Sequence, residues 1–370
     1  MKEIIYLDNA ATTMVDARVL KEMLPFFNEK YGNASSLHAK GQEAGKALQD
    51  ARLKVAGLLG CLPEEIIFTS CGSESNNLAL KGTAEALKGR GKHIISTRFE
   101  HPSVLNTLKE LVEGKGFEVT LIGVDEKGFV KLDELKKAVR KDTILASVML
   151  ANNEVGSIQP MAEIIKIVKA VNPDTLVHSD AVQGLGKIKI GLNALGIDLM
   201  SFSGHKIHAP KGVGVLYRKK GIKLKPLIQG GGQEQGLRSG TENIAFIAGF
   251  AKALELALAE MQENNKRMLG LKKKLVDCLL ERIPESRLNG SMEYSLPNIA
   301  NVSFPGAEGE SILFMLDALG ICVSTGSACS QKSLKPSHVL QAMGLNHLRM
   351  HGSIRFSLSR FTQKKEIDFV

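Results

Sequence analysis

Residues 176–217 read LVHSDAVQGLGKIKIGLNALGIDLMSFSGHKIHAPKGVGVLY, and the fold is decided there. Three short apolar runs stand out: LVHSD (176–180), DLMSFS (198–203) and VGVLY (213–217). Each has the length of a strand and is bounded by polar or glycine-rich turns. Upstream the pattern repeats in IIFT (66–69), HIIST (93–97), EVTLI (118–122) and ILASVML (144–150). Helix-length segments lie between these runs, among them residues 74–88 and 162–171. Strands alternating with helices predict an α/β fold: a large, mostly parallel sheet flanked by helices.

Downstream, the glycine-rich IQGGGQEQGLRSG (228–240) leads into two helical stretches, 242–261 and 264–283, with no strand signal. That break in rhythm marks a domain boundary. After Pro284 strands are expected again at 299–304 and 353–358, around helices at 309–319 and 336–343, as a smaller α+β domain. Residues 14–260 are therefore assigned to the large domain, and 1–13 with 261–370 to the small one.

Composition narrows the function classes. A chain of 370 residues has room for about two domains. Its 44% hydrophobic and 24% charged residues are ordinary for a globular protein. No run approaches the ~18 apolar residues of a spanning helix, so neither a membrane anchor nor a signal peptide is expected. Five cysteines without a CxxC pair suggest no disulfide framework and no zinc site, and they point to a reducing cytoplasm. The net charge of +9 is scattered, and direct nucleic-acid binding is not expected. A zinc site from His338, His347 and His351 lacks a supporting thiol or carboxylate pattern.

In an open α/β sheet the ligand lies off the carboxyl ends of the strands. LVHSD ends in Asp180 with Gln183 just beyond, DLMSFS runs into Gly204, His205 and Lys206, and IIFT runs into Cys71, Gly72 and Ser73 before a helix. Lys206 follows an apolar strand, where partial desolvation would lower its pKa and suit it to Schiff-base chemistry; taken alone, it reads rather as a solvated loop lysine. Asp180 ends another apolar strand and calls for a cation, whether a pyridinium nitrogen or a protein side chain. The two together form the pattern of pyridoxal-phosphate sites. Gly72 and Ser73 would offer free N–H groups to a phosphate, with Ser203 and His205 as further donors, although an ordinary N-cap looks the same.

Several other residues have both a functional and a plain reading. His101, in FEHPSV, can stack on a flat ring or relay protons. Asn153, in ANNEVG, can reach a ring hydroxyl or a substrate carboxylate, or simply make a turn. Arg355 has the fork that grips a carboxylate in two places, or is a surface arginine. Cys329 falls among small and polar residues, so a loop is expected there and a thiol that is exposed and able to move. Cys61, Cys278 and Cys322 have apolar neighbours and read as small core residues, and Cys71 has no assigned role.

Longer strings carry a resemblance: YLDNAATT (6–13), YGNASSLH (31–38), ANNEVG, DAVQ, SGHKIHAPKGVG (203–214), GGGQEQGLRSGTEN (230–243) and STGSACS (324–330). Across nearly the whole chain the sequence resembles the NifS/IscS-type cysteine desulfurases, of the class V aminotransferase family of fold-type I pyridoxal-phosphate enzymes. The resemblance implies Lys206 as the Schiff-base lysine, Asp180 on the pyridinium nitrogen, Gln183 near the ring hydroxyl and His101 stacked on the ring. It implies Gly72, Ser73, Ser203 and His205 around the phosphate. Thr241 would reach the phosphate of the other subunit of a homodimer. Asn33, Asn153 and Arg355 would face the substrate, with Asn153 also near the cofactor.

The implied reaction takes sulfur from L-cysteine, Lys206 removing the α-proton and Cys329 becoming a persulfide as L-alanine leaves. The sulfur would pass to an acceptor such as an iron–sulfur scaffold or a thiolation carrier for tRNA or cofactors. Whether Cys329 also serves as a transient iron–sulfur ligand stays open. A selenocysteine lyase or another class V enzyme is the alternative, disfavoured because such an aminotransferase needs no cysteine at 329; a non-catalytic interaction protein would need none of Lys206, Asp180, Gln183 and Cys329. There are three departures from the family pattern. Gly72-Ser73 replaces Ala-Thr, His208-Ala209 replaces an aromatic-Gly pair, and relatives usually continue with a further helix past the position of Val370.

Overall fold

The computed structural model describes residues 4–326 and 336–370. In chain order its strands are β1 (Ile5–Tyr6), β2 (Ile66–Thr69), β3 (His93–Thr97), β4 (Glu118–Ile122), β5 (Thr143–Ser147) and β6 (Leu176–Asp180), then β7 (Leu199–Ser203), β8 (Gly214–Arg218), β9 (Arg287–Asn289), β10 (Ile299–Ser303), β11 (Ile321–Cys322) and β12 (Ser353–Ser357). Seven of them form one sheet in the order β2-β8-β7-β6-β5-β3-β4. From β7 to β4 every pairing is parallel, and β8 runs antiparallel to both of its neighbours. The carboxyl ends of β3, β5, β6 and β7 therefore open onto a common edge. All five residues of β3, β5 and β7 are buried, as two-sided packing demands.

The expected strand at 144–150 ends at Ser147. The N–H groups of Val148 and Leu150 still bond to carbonyls of β6, but that of Met149 turns to the side chain of Glu100, 2.8 Å away. A side-chain acceptor inside the ladder redirects the chain there. A long helix that the strand rhythm does not announce, Ala39–Leu59, buries Gly41, Ala44, Ala51, Val55, Ala56 and Leu59. Its buried face is made mostly of small residues, which blunts the apolar period but lets it pack closely against the helix Ile244–Ala259. The two expected helices after the glycine-rich segment are present as Ile244–Ala259 and Met261–Arg282.

A second apolar cluster joins Leu7, Leu271, Val302, Val323, Ile354 and Phe356, around the sheet β12-β10-β9. The amino-terminal stretch ties into this part: β1 pairs with β11, and Asn9 donates to the carbonyl of Ser357 at 2.8 Å. Among the described residues no helix is long and apolar enough to cross a membrane.

The glycine-rich segment is fastened by a charge. Glu234, its side chain 3% exposed, accepts from both terminal nitrogens of Arg52 at 2.9 and 2.5 Å and from the N–H of Phe68 at 2.9 Å. Arg52 in turn lies over the Phe68 ring, 4.8 Å from its centre. Removing the carboxylate leaves a buried guanidinium without its counter-charge. Glu234→Ala is therefore expected to lower unfolding stability by about 3–5 kcal/mol, read as a fall in the urea midpoint, while Lys54→Ala, at an exposed ion pair, changes it by less than about 1 kcal/mol.

Candidate active site

The carboxyl ends of the strands surround a cavity of about 220 Å³, and its chemistry can be built up strand by strand. β6 delivers Asp180, 5% exposed, to the edge of the sheet. One of its oxygens accepts from the Asn76 amide at 2.7 Å and the other from the N–H of Val182 at 3.0 Å. The Asn76 amide also donates to Ser103 Oγ, which lies 2.8 Å from His101 Nδ1. Because that nitrogen also accepts from the N–H of Ser103, the ring proton belongs on Nε2. Burial pulls the His101 pKa below its usual value, Asp180 opposes that, and Lys206 and His338 add to it, so the imidazole is neutral at pH 7.

β7 runs into the turn Gly204–Lys206, which packs without slack. A Cβ on Gly204 would lie 2.9 Å from Val213, 3.0 Å from Ala209 and 3.1 Å from Phe250, so only glycine lets the turn seat on the core. The half-buried Lys206 points its ammonium at the carbonyls of Ala10 and Ala11, at 2.5 and 2.6 Å. Gln183 donates to the same Ala10 carbonyl at 3.0 Å. His205 lies against Thr12 Oγ1 at 3.2 Å, and burial, reinforced by the charge of Lys206, brings its pKa down to about 3.

β2 leads into the helix Gly72–Leu87, whose amino end faces the cavity. Cys71 acquires a role here: its sulfur caps the helix by accepting from the N–H of Glu74 at 3.4 Å. Gly72 is buried and Ser73 exposed, and a Cβ on Gly72 would come within 2.7 Å of Val182 and 3.3 Å of Ser203. From the smaller sheet comes Arg355, which is not at the surface but 1% exposed. It donates to Asp8 at 2.8 Å and to the carbonyl of Asn153 at 3.0 Å. Each of those terminal nitrogens keeps a second hydrogen for a ligand.

Gly72, Ser73, His101, Asn153, Asp180, Gln183, Ser203, His205, Lys206 and Arg355 thus line one cavity. Asn33 and Thr241 do not: both are exposed, and the Asn33 side chain accepts from the N–H of Ser35 at 2.9 Å. Cys329 lies outside the described residues. His208 also stays out of this cavity, packing edge-on to Phe361 with ring centres 4.9 Å apart. Among the described residues no group of three or more histidine, cysteine or acidic side chains could hold a metal. Cys61, Cys278 and Cys322 are half-buried rather than core; Cys61 packs against the edge of the large apolar cluster, and burial pushes its thiol up to about 12.

The sequence reading missed Asn76, Ser103 and the Ala10 and Ala11 carbonyls. Asn76 had a signal, since it sits one helical turn beyond Gly72 and so shares its face. The two carbonyls had none.

The profile of the aminotransferase class-V family matches residues 5–370. The chain is 50% identical to the cysteine desulfurase IscS of Dictyoglomus turgidum over 100% of this chain and 93% of that one. It is 49% identical to the cysteine desulfurase IscS of Methanosarcina thermophila, over 99% and 90%. A solved structure of a NifS-like protein superposes with a TM-score of 0.94 at 47% identity, covering 99% of this chain and 97% of the other. The chain belongs to the class-V aminotransferases, among the NifS/IscS-type cysteine desulfurases.

Enzymes of this class depend on pyridoxal 5'-phosphate, and the cavity of this class-V chain fits it. Ser203 Oγ, Asn153 Oδ1 and Arg355 Nε are buried without partners among the described residues, and all three residues line the cavity. Orphaned donors and acceptors of this kind are costly unless a ligand completes them. A phosphate would take Ser203 and the free N–H groups of the Gly72 helix, and a pyridinium nitrogen would take Asp180.

Next to His101 is a carboxyl group that the cofactor does not need. Glu100 is fully buried; one oxygen accepts from Met149 N–H and Thr97 Oγ1, and the other has no partner among the described residues. Burial, reinforced by the charge of Asp180, raises its pKa to about 8, against the pull of those two hydrogen bonds. The folded state therefore holds a proton that the unfolded chain gives up near pH 4.5, and this contribution to stability, complete below pH 4.5, is lost as pH rises through about 8. Glu100→Gln is expected to show a flatter melting temperature than the parent between pH 6 and 8.5, measured by calorimetry. Parallel curves would show that Glu100 is not protonated.

Proposed function

We propose that the chain converts L-cysteine to L-alanine and carries the sulfur as a persulfide on Cys329. One observation carries this reading: Lys206, Asp180, Arg355 and the Gly72 helix start converge on one cavity, in a chain whose residues 324–330 read STGSACS. Relatives matching almost the full length bear the name cysteine desulfurase, in support.

Bound in the cavity, pyridoxal phosphate supplies an electron sink for the α-carbon of the amino acid. The side chains do the positioning and the proton work. Arg355, oriented by Asp8 and the Asn153 carbonyl, turns its remaining hydrogens to the substrate carboxylate. Asn153 lines the same cavity, its Oδ1 without a partner among the described residues. Lys206, drawn toward the Ala10 and Ala11 carbonyls, is the group that takes the α-proton. Neutral His101 keeps Nδ1 engaged and leaves Nε2–H for the substrate side. The thiolate of Cys329 then attacks the substrate sulfur. An S–S bond forms as the carbon–sulfur bond breaks, and the electron pair left on carbon takes a proton as L-alanine departs.

The same reading extends to the assembly. The exposure of Thr241 fits a homodimer in which it faces the neighbouring subunit's site. Residues 14–260 are taken as the cofactor-holding domain, and 1–13 with 261–370 as the small domain. The sulfur acceptor is a protein such as an iron–sulfur scaffold or a thiolation carrier, met in the cytoplasm.

Two variants test these claims. Cys329→Ala should stay yellow, respond to L-cysteine with a changed absorption spectrum, and let borohydride fix the cofactor to Lys206. Its alanine production should nonetheless fall by roughly two orders of magnitude or more, and near-parent turnover without added thiol would replace persulfide transfer by a direct lyase reaction. Thr241→Ala should keep the dimer in sedimentation but weaken cofactor affinity about 10-fold, the effect of one hydrogen bond to a charged group. A monomer with full cofactor content would contradict the shared site.

A further inference from the structure

A second, smaller cavity of about 40 Å³ lies behind the turn that carries Lys206. Lys187, Lys206 and His208 line it from the large sheet's turns, and Asn298 and Arg360 from the side of the small sheet. Space of that size admits about three water molecules or one small ion, and nothing as large as a nucleotide or a sugar phosphate. Lys187 is half-buried, and its ammonium makes one hydrogen bond among the described residues, to the carbonyl of Lys206 at 3.3 Å. Burial alone brings its pKa down to about 8, so at pH 7 the group still carries its charge, and no carboxylate pairs with it among the described residues.

The other charges around this cavity cancel. Arg18 and Arg360 share the carboxylates of Asp16 and Glu260: Arg18 lies 2.8 and 2.6 Å from them, and Arg360 pairs with Asp16 and, at 3.4 Å, with Glu260. His208 donates from Nδ1 to the carbonyl of Met14 at 2.9 Å, and burial, reinforced by the charge of Arg360, brings its pKa down to about 4, so it is neutral at pH 7. Two cations against two carboxylates leave Lys187 as the surplus charge. The Arg360 side chain, 6% exposed, also brings to the cavity a buried Nε without a partner among the described residues. A water could take that N–H, and another could serve the orphaned Oδ1 of the buried Asn298. No water neutralises an ammonium held away from solvent.

We propose that this cavity binds one small monovalent anion, chloride in kind, between Lys187 and Arg360. The anion accepts from the Lys187 ammonium and from Arg360 Nε–H, and its single charge matches the surplus. A divalent oxyanion would reverse the imbalance and leave a buried negative charge in its place. Asn298 Oδ1, an acceptor, takes a hydrogen from a water beside the anion rather than touching the anion itself. Because Lys187 also donates to the carbonyl of Lys206, occupancy bears on the turn that holds the Schiff-base lysine. With its charge matched, the ammonium keeps its proton, and that bond, to a higher pH. Nothing in the site depends on the reaction that the chain carries out.

The test titrates the holoenzyme with sodium chloride in gluconate buffer at constant ionic strength. The melting temperature should rise saturably, by about 2 °C at a tenfold excess over the dissociation constant. Crystals grown with bromide should show an anomalous peak between Lys187 and Arg360. Lys187→Met keeps the apolar stem and drops the charge; it should melt at or above the parent in gluconate, show no saturable response to chloride and lose the bromide peak. Should that variant fold poorly, pH supplies the test in the parent. Chloride affinity should fall about 10-fold between pH 7 and pH 9 as Lys187 titrates near 8, a range in which His208, Asp16, Glu260 and both arginines keep their charge states. A parent with no saturable response and bromide only at its surface overturns the proposal. So does an undiminished chloride response in Lys187→Met, or a chloride affinity that is unchanged at pH 9.

Discussion

A carboxylate buried at the end of a parallel strand is the constraint on which the site depends. Asp180 cannot sit 5% exposed at the sheet edge without compensation, and the structure supplies it from two directions. The amide of Asn76 comes from the helix after β2, and the N–H of Val182 comes from the turn after β6. Through Asn76 and Ser103 the same network sets the ring of His101, so Asp180 and His101 are fixed together. Loss of either link would leave a buried charge with fewer partners, a costly state in a low dielectric.

The amino-terminal stretch belongs to both halves of the site. Ala10 and Ala11 turn their carbonyls to Lys206, Thr13 bonds to the carbonyl of His205, and Asp8 holds Arg355. Asn9 and Ala10 meanwhile bond to Ser357 on β12. Six residues of sequence, 8–13, therefore place Lys206 and Arg355 in one frame. The glycine at 204 does the complementary work on the core side, where Phe250 and Val213 leave no room for a methyl group.

Much of this was legible in the sequence for simple reasons. Strand length, apolar content and turn residues are local properties, so β2, β3, β4 and β6 were placed to the residue and the α/β class followed from their alternation with helices. The rule that ligands gather at carboxyl ends of parallel strands then singled out Asp180, Lys206, Ser203 and the Gly72 start without any coordinates. Motifs such as SGHKIHAPKGVG narrowed the chemistry further. Local pattern could not say that β8 runs antiparallel, that Met149 leaves its ladder for Glu100, or that a helix lined with glycine and alanine occupies residues 39–59.

The sequence by itself determined the fold class, the cofactor chemistry and most of the residues that line the cavity, because each is written in a residue type at a local position. Only the tertiary structure decided which backbone carbonyls draw in Lys206, that Asn76 supports Asp180, and that Arg355 is buried on Asp8. It alone brought Ser337 onto Glu154. Those contacts join residues more than a hundred positions apart, and a carbonyl or a buried amide has no sequence signature: its partner is chosen by how the layers pack.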